Sequence, residues 1–389
     1  MREFMIMKKT LLGSLLALSI AVIGCGKKEE GGSPSQAEAP KPTGPIRIGL
    51  AAPLTGSYAK IGNDMLNGAI LAIEQKNAGG GVLGRKIELI KRDDQGEPKQ
   101  AVAVARELTD AKVSAVVGHF NSGCTIPASE IYNDAKVPAV TPASTNPQVT
   151  DRGYLYMFRV CGRDDQQGSV GAEFALNELK VKRVAVLHDK TTYGQGLADE
   201  FKKKAEKLGL QVVYYAGIPK EEYDFRANIT AMKNVSPELV YFGGIYNQAG
   251  PLVVQMKQSG LDAKFMSGDG TIDKEFIKTA SKDAENSYLT FGPDPAKVPS
   301  ARPFIDGYKN RFKEDIGTYS IYGYDSATIL MAAMEKAGTV DGEKVAKTMH
   351  SMKFDCAMGS IGFDERGDIT ASYYILWVVK NGEFVPYEK

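Results

Sequence analysis

Short apolar runs alternate with longer stretches of helical periodicity along most of this chain. The apolar runs predict strands over residues 46–51, 86–91, 113–117 and 137–141. Between them, apolar residues at helical spacing predict helices over 62–75, 98–110 and 125–134, with Pro98 suited to a first turn. The rhythm restarts after Gly162: a helix over 167–179, a strand over 183–187, a helix over 196–208 and a strand over 211–215. A helix over 225–232, a strand over 239–242, a helix over 249–259 and a strand over 264–266 follow, with a last strand over 373–379. Strands joined by helices of this length make parallel sheets covered on both faces. Two such runs predict an α/β protein of two doubly wound parallel-sheet lobes. A weak internal echo agrees: Thr55, Tyr58 and Gly62 follow the first strand of one run, and Thr191, Tyr193 and Gly196 an early strand of the other. Ligands of open α/β sheets bind outside that strand edge, so two such edges facing each other describe a cleft.

Residues 7–25 follow a different pattern. Met7-Lys8-Lys9 is basic, residues 11–23 are apolar, and Val22-Ile23-Gly24 leads into Cys25. This is the order of a bacterial secretion signal cleaved before a lipid-bearing cysteine. The apolar run is shorter than the roughly 20 residues of a spanning helix. Residues 26–45 are mostly Gly, Ser, Pro, Lys and Glu, a composition that predicts an extended tether. The folded part is therefore expected in the periplasm, held to a membrane only by the lipid on Cys25. About 345 residues remain for it, enough for two domains.

Charge narrows the function. With 48 Lys+Arg against 47 Asp+Glu and no basic block after the tether, nucleic-acid binding has no electrostatic footprint. Beyond Cys25 only Cys124, Cys161 and Cys356 remain, so at most one intramolecular disulfide can form and its partners are not fixed. Three small buried apolar residues are the simpler reading.

Several chemistries lack their motifs. A literal G-x-G-x-x-G stands at residues 79–84, but it follows a helix and precedes a strand, the reverse of a dinucleotide fingerprint. It reads as a helix C-cap and turn. His119, His188 and His350 are isolated from metal-spaced partners, and neither a Walker loop nor a G-x-S-x-G elbow occurs. No cofactor or metal is expected. Two segments do read as ligand contacts. Residues 118–127 place Asn121, Ser122, Gly123 and Thr125 between a strand and a helix, where backbone N–H groups favour an anion such as a carboxylate. Ser122 or Thr125 acting only as a helix cap is the alternative. Residues 141–147, with Ala143, Ser144 and Thr145, end the next strand in the same small, hydroxylic style.

Here the chain resembles the solute-binding proteins of bacterial branched-chain amino acid ABC importers, the leucine/isoleucine/valine type. The resemblance runs over residues 46–387 and is carried by residues 87–100, 118–129, 141–147, 188–196 and 363–368. It implies the type I periplasmic binding protein fold, two lobes joined by three crossovers near 160–163, 290–297 and 358–363. The first lobe would take 46–160 plus 299–357 and the second 161–298 plus 358–389. It further implies that Ser122 and Thr145 bind the carboxylate of an amino acid and that the Ala143 carbonyl meets its ammonium. Tyr193 and Asp269 would close over the ligand, Asp269 as counter-charge to the ammonium. A turn aspartate beside Gly270 is the simpler alternative for that residue. The chain departs from the pattern at Ile61 and Ile245, where leucine-type relatives carry tyrosines, with Tyr246 as the neighbouring aromatic. Gly96 and Asn121 replace a disulfide of the relatives.

The expectation is a monomeric lipoprotein that binds an aliphatic amino acid by lobe closure and hands it to a membrane permease, without being an enzyme. A binder of an amide, urea or aromatic acid is the alternative in the same family. An α/β hydrolase would need Ser122 as nucleophile beside His119, with an orienting acid that the sequence does not name.

Overall fold

The computed structural model describes residues 44–371 and 374–388. The signal, Cys25 and the tether lie outside the described residues, as does Tyr373. Strand β1 (Ile46–Ala52) is followed by α1 (Ala59–Ala78), β2 (Ile87–Asp93), α2 (Pro98–Asp110), β3 (Ala115–Gly118), α3 (Ser122–Asp134), β4 (Ala139–Thr141) and β5 (Met157–Arg159). These strands form one parallel sheet in the order β2-β1-β3-β4-β5. Strand periodicity divides its side chains between two cores. Ile46, Ile48 and Leu50 face one core, while Ala51 and Val116 face Leu108 and Tyr132 in the other. Both faces are dry because α2 packs on α3 on one side.

The second half begins with α4 (Asp164–Asn177), β6 (Arg183–His188), α5 (Thr192–Lys207), β7 (Gln211–Gly217), α6 (Arg226–Val235) and β8 (Leu239–Gly243). Helix α7 (Tyr246–Gln258), β9 (Lys264–Ser267), α8 (Lys274–Ala280) and β10 (Tyr288–Phe291) continue it. The chain then returns to the first lobe as α9 (Arg302–Phe312), α10 (Ser320–Ala337), α11 (Gly342–Ser351) and the hairpin β11 (Lys353–Cys356) to β12 (Gly359–Gly362). Both α9 and α10 pack on α1. Strands β13 (Ile375–Lys380) and β14 (Glu383–Pro386) go back to the second lobe and finish its sheet, β14-β13-β10-β9-β8-β6-β7. Its last two strands are antiparallel, because β13 pairs with β10 and then turns straight back as β14.

The alternating pattern located these elements well but began several helices late. Helices expected from Gly62, Thr125, Gly196 and Ala249 start at Ala59, Ser122, Thr192 and Tyr246. Periodicity finds a helix where its apolar stripe begins, and these first turns carry polar or small residues that face the cleft instead. Strands β5 and β10, helices α9, α10 and α11 and the β11–β12 hairpin did not stand out in the pattern. Cys124, Cys161 and Cys356 are free and buried, as the simpler reading had them. Among the described residues no helix is long and apolar enough to cross a membrane.

Where the chain passes between lobes, an ionic knot holds it. Arg159, at the end of β5, has no solvent exposure and meets Asp368 at 2.6 Å. Its guanidinium also donates to the carbonyls of Ser144 (2.9 Å) and Asn146 (3.1 Å). Arg163 reaches the other oxygen of Asp368, Oδ2, at 2.8 Å, while Thr150 donates to Oδ1 at 2.8 Å. Burial pushes the Asp368 carboxyl up, but Arg159, Thr150 and Arg163 outweigh it and hold it below the ordinary range.

Two ion-pair deletions should therefore behave differently. Asp368→Ala leaves Arg159 buried and unpaired, and should lower the unfolding free energy by about 3–5 kcal/mol in urea titrations. Asp306→Ala, which removes the exposed partner of Arg302, should cost at most about 1 kcal/mol. Equal losses would mean that the knot contributes no more than a surface pair.

Candidate ligand site

The C-terminal edges of both sheets face one cleft, and the first turns of α3 and α5, with Ile245 at the N-cap of α7, open onto it. Asn121 is the N-cap of α3, without a side-chain capping bond. Ser122 is the first helical residue and is almost fully buried; its hydroxyl accepts the Asn146 N–H at 3.3 Å. Neither Ser122 nor Thr125 caps this helix, since Thr125 bonds the Ser144 hydroxyl at 2.5 Å. The N–H groups of a first helical turn lack intrahelical acceptors and point along the positive end of the helix dipole. A carboxylate at Ser122 would meet that field.

A small cavity lies between the lobes. The first lobe contributes Phe120, Asn121, Ser122, Ala143 and Tyr319, and the second Tyr193, Ile245, Asp269 and Gly270. Asp269 follows β9 and is 4 % exposed. Its Oδ1 accepts the Tyr193 hydroxyl at 2.8 Å, and its Oδ2 accepts the Tyr319 hydroxyl at 3.3 Å from across the cleft. The Tyr193 oxygen in turn accepts the Gly270 N–H at 2.9 Å. A Cβ on Gly270 would stand 2.9 Å from the Tyr193 ring, so glycine is required for this approach. Burial raises the Asp269 carboxyl above its usual range despite the bonds from Tyr193, Gln167 and Tyr319. Among the described residues it forms no ion pair.

A second hollow shares Asn121, Ser122 and Tyr193 with this cavity and is also lined by Tyr58, Asp189, Lys190 and Lys220. Asn146 Nδ2 donates to the Thr192 carbonyl at 3.0 Å and ties the lobes beside it. Gly96 and Asn121 are neighbours: a Cβ on Gly96 would lie 3.2 Å from Asn121 Oδ1.

Of the expected contacts, Asn121, Ser122, Ala143, Tyr193 and Asp269 meet at this cavity. Ser144 is buried behind it, its hydroxyl 2.9 Å from the Phe120 carbonyl. The Thr145 carbonyl accepts the N–H of Asp164 at 2.9 Å, and neither Thr145 nor Tyr246 is part of the cavity wall. Tyr246 opens α7, where burial and then Asp273 push its hydroxyl up to about 12. Phe120, Gly270 and Tyr319 were not foreseen. Phe120 could have been found by its place beside Asn121 at a strand end. Tyr319 carries no local signal, because it reaches the cleft from the N-cap of α10, after the chain has crossed back.

His119 has an orienting acid after all: Asp94 Oδ2 lies 2.6 Å from Nδ1. Its Nε2, however, faces the Tyr132 hydroxyl at 3.0 Å, and all three groups are buried. With both ring nitrogens engaged, His119 is not placed to take a proton from Ser122.

Two parallel-sheet lobes closing on a small pocket, with a helix N-terminus on one side and a carboxylate on the other, define a two-lobed ligand-binding protein. The chain belongs to the periplasmic binding protein family, whose model matches residues 45–383. It is 46% identical over 335 residues to an amino acid binding protein of Pseudomonas aeruginosa, covering 85% of this chain and 89% of that one. The fold matches the crystal structure of a leucine-binding protein, LivK, from Thermotoga maritima (TM-score 0.83, 32% identity, 88% of this chain and 98% of that one). It also matches LivJ of Streptococcus pneumoniae, solved with isoleucine (TM-score 0.81, 28% identity, 88% and 100%).

Buried carboxylates give a pH signature. Burial raises Asp325, which accepts N–H bonds from Ala357 and Met358, to about 7. It raises Asp189 and Asp64 to about 6, against Thr191 and Lys60 respectively. Unfolded aspartates titrate near ~3.9, so from there upward the native state holds protons that the unfolded chain has released. This contribution is fully present below the unfolded value and is lost as pH rises through the folded values. The lowered carboxylates Asp93 and Asp368 act in the opposite sense only at more acidic pH, and the buried His188, held below its ordinary value, opposes the trend within the interval as one group against three. The melting temperature of the ligand-free protein, by calorimetry, should therefore be lower at about pH 8 than at about pH 5. A rise over that interval would contradict the burial of these groups.

Proposed function

We propose that this chain binds an α-amino acid with an aliphatic side chain in the interlobe cleft and delivers it to the permease of an ABC importer. Family membership supports an extracytoplasmic carrier rather than an enzyme. The observation that carries the amino acid reading is Asp269, a buried carboxylate with two phenol donors and no ion pair, opposite Ser122 at a helix N-terminus. Such a pair of poles fits a zwitterion: ammonium at Asp269, carboxylate at Ser122. Ala143, Phe120 and Ile245 leave the remaining wall apolar. Leucine, isoleucine and valine are the first candidates, given what the similar proteins are named for binding. The lobes are taken to divide as 46–160 plus 299–357 and 161–298 plus 358–389, except that β12 pairs with β11 and so stays with the first lobe, and a monomer anchored through lipidated Cys25 is the working form.

A thermal-shift panel of amino acids on protein unfolded and refolded to strip bound ligand tests the class. Ligand at ~100 times its Kd should stabilise the native state by about 2.7 kcal/mol; no shift with any amino acid would refute the assignment.

Asp269→Asn separates an amino acid binder from a binder of neutral or purely acidic ligands. Loss of one partner of a desolvated charge pair should cost about 2–5 kcal/mol of leucine affinity by calorimetry. Binding of the deaminated keto acid should be spared, since that ligand leaves the carboxylate unpaired. In the wild type, leucine affinity should fall as pH drops through the raised Asp269 titration, because the protonated acid no longer attracts an ammonium. A variant that binds leucine normally would make Asp269 a turn residue.

For the anchor, Cys25→Ser should shift the protein from membranes to the soluble periplasmic fraction with ligand affinity unchanged. Retention on membranes would point to an uncleaved signal.

A further inference from the structure

Among the contacts that cross the cleft, one cation stands between two sheltered carboxylates. Lys60, in the first turn of α1, is held on its own lobe by Asp64, with Nζ 3.0 Å from Oδ2. The same Nζ lies 3.6 Å from Oδ2 of Asp273, at the start of α8 on the second lobe. Asp273 is only 2 % exposed. Its Oδ1 caps α8 by accepting the Glu275 N–H at 2.9 Å, while its Oδ2 has no hydrogen-bond partner. Among the described residues, Lys60 is the cation within ion-pair distance of it.

The surroundings fix this arrangement. Asp64 is tucked under Gly317, where a Cβ would come within 2.0 Å of its carboxyl carbon. The two residues that follow, Thr318 and Tyr319, also reach across the cleft, to the Ile272 carbonyl (2.8 Å) and to Asp269. Away from the ionic knot, two other ion pairs among the described residues join the same lobes, Lys220 with Glu97 and Lys274 with Asp315, and both have their carboxylates exposed to water. Water and salt screen a pair of that kind, whereas Asp273 has little water left to replace Lys60.

We propose that Lys60 is the closure residue of the cleft, a positioning group that makes the shut state favourable without touching the ligand. The inference rests on the reading of ligand capture by lobe closure. With the lobes apart, Lys60 and Asp273 are each hydrated. Bringing them together strips water from Asp273, which is unfavourable unless a cation arrives with it. Lys60, already aimed by Asp64, is that cation. Its effect falls on how long the cleft stays shut, and so on ligand release more than on encounter.

The test uses Lys60→Met, which keeps the alkyl stem, and Asp273→Asn, which removes the charge but keeps a good helix cap. In stopped-flow measurements on the mature chain, Lys60→Met should speed leucine release about tenfold and change association by about twofold or less. Adding Asp273→Asn should recover most of the loss, because the sheltered carboxylate on the opposite lobe is then no longer charged, while Asp64 loses Lys60 equally in both variants; a merely structural lysine gives no such rescue. Unchanged release in Lys60→Met, or no recovery in the double variant, overturns the proposal. Pulsed electron spin resonance between one label on each lobe provides a readout without ligand: the closed fraction should drop in Lys60→Met and return in the double variant. If those distances respond while no amino acid binds the wild type, the ligand assignment fails and the closure role stands. If the distances do not respond, the closure role fails.

Discussion

The fully buried guanidinium of Arg159 is the constraint on which the two-lobed arrangement depends. It has no water to solvate it, so its charge must be met by Asp368 and its remaining donors by the carbonyls of Ser144 and Asn146. Arg159 ends the first lobe's last strand, Arg163 lies on the first passage between lobes, and Asp368 lies on the third. One ionic knot therefore ties two of the three connections at a fixed point. The same guanidinium shapes the 144–146 loop, whose neighbour Ala143 forms part of the cavity wall. Removing one partner of such a pair is costly because the other cannot be rehydrated in place. Hinge and binding loop are thus parts of a single electrostatic unit.

Charge in the cleft follows the opposite logic. Asp269 is buried with hydrogen-bond donors but no cation, and its carboxyl is raised accordingly. Two phenols stabilise the ionised form without neutralising it, which leaves attraction for an incoming ammonium. Tyr319 comes from the first lobe and Tyr193 from the second, so the geometry around Asp269 is complete only when the lobes meet. Recognition and closure are coupled through that carboxylate. Lys60 and Asp273 repeat the coupling at another point of the cleft, here with protein groups on both sides.

The pairing of Ser122 with His119 was also decided by the structure. From the chain alone, His119 lacked an acid and Ser122 could have been a nucleophile. The fold supplies the acid, Asp94, but turns the imidazole toward Tyr132 inside the core. A serine at a helix N-terminus whose hydroxyl accepts a backbone N–H is suited to holding a carboxylate.

The sequence by itself determined what local periodicity and composition can encode. The two runs of strands and helices, the parallel sheets and the cleft at their C-terminal edges all follow from residues close together in the chain. Ser122, Ala143 and Tyr193 were legible for the same reason: each sits where an apolar strand gives way to small, hydroxylic or aromatic residues. Tertiary structure alone decided the rest. Tyr319 meets Asp269 only because α10 returns to pack on α1 after two crossings. Arg159 finds Asp368 more than 200 positions away, and no periodicity links them. Even the helix starts were settled in three dimensions, since the first turns of α3 and α5 lack the apolar stripe and line the cleft instead. Charge pairing and closure act between segments distant in sequence, so they take effect only where the fold brings those segments together.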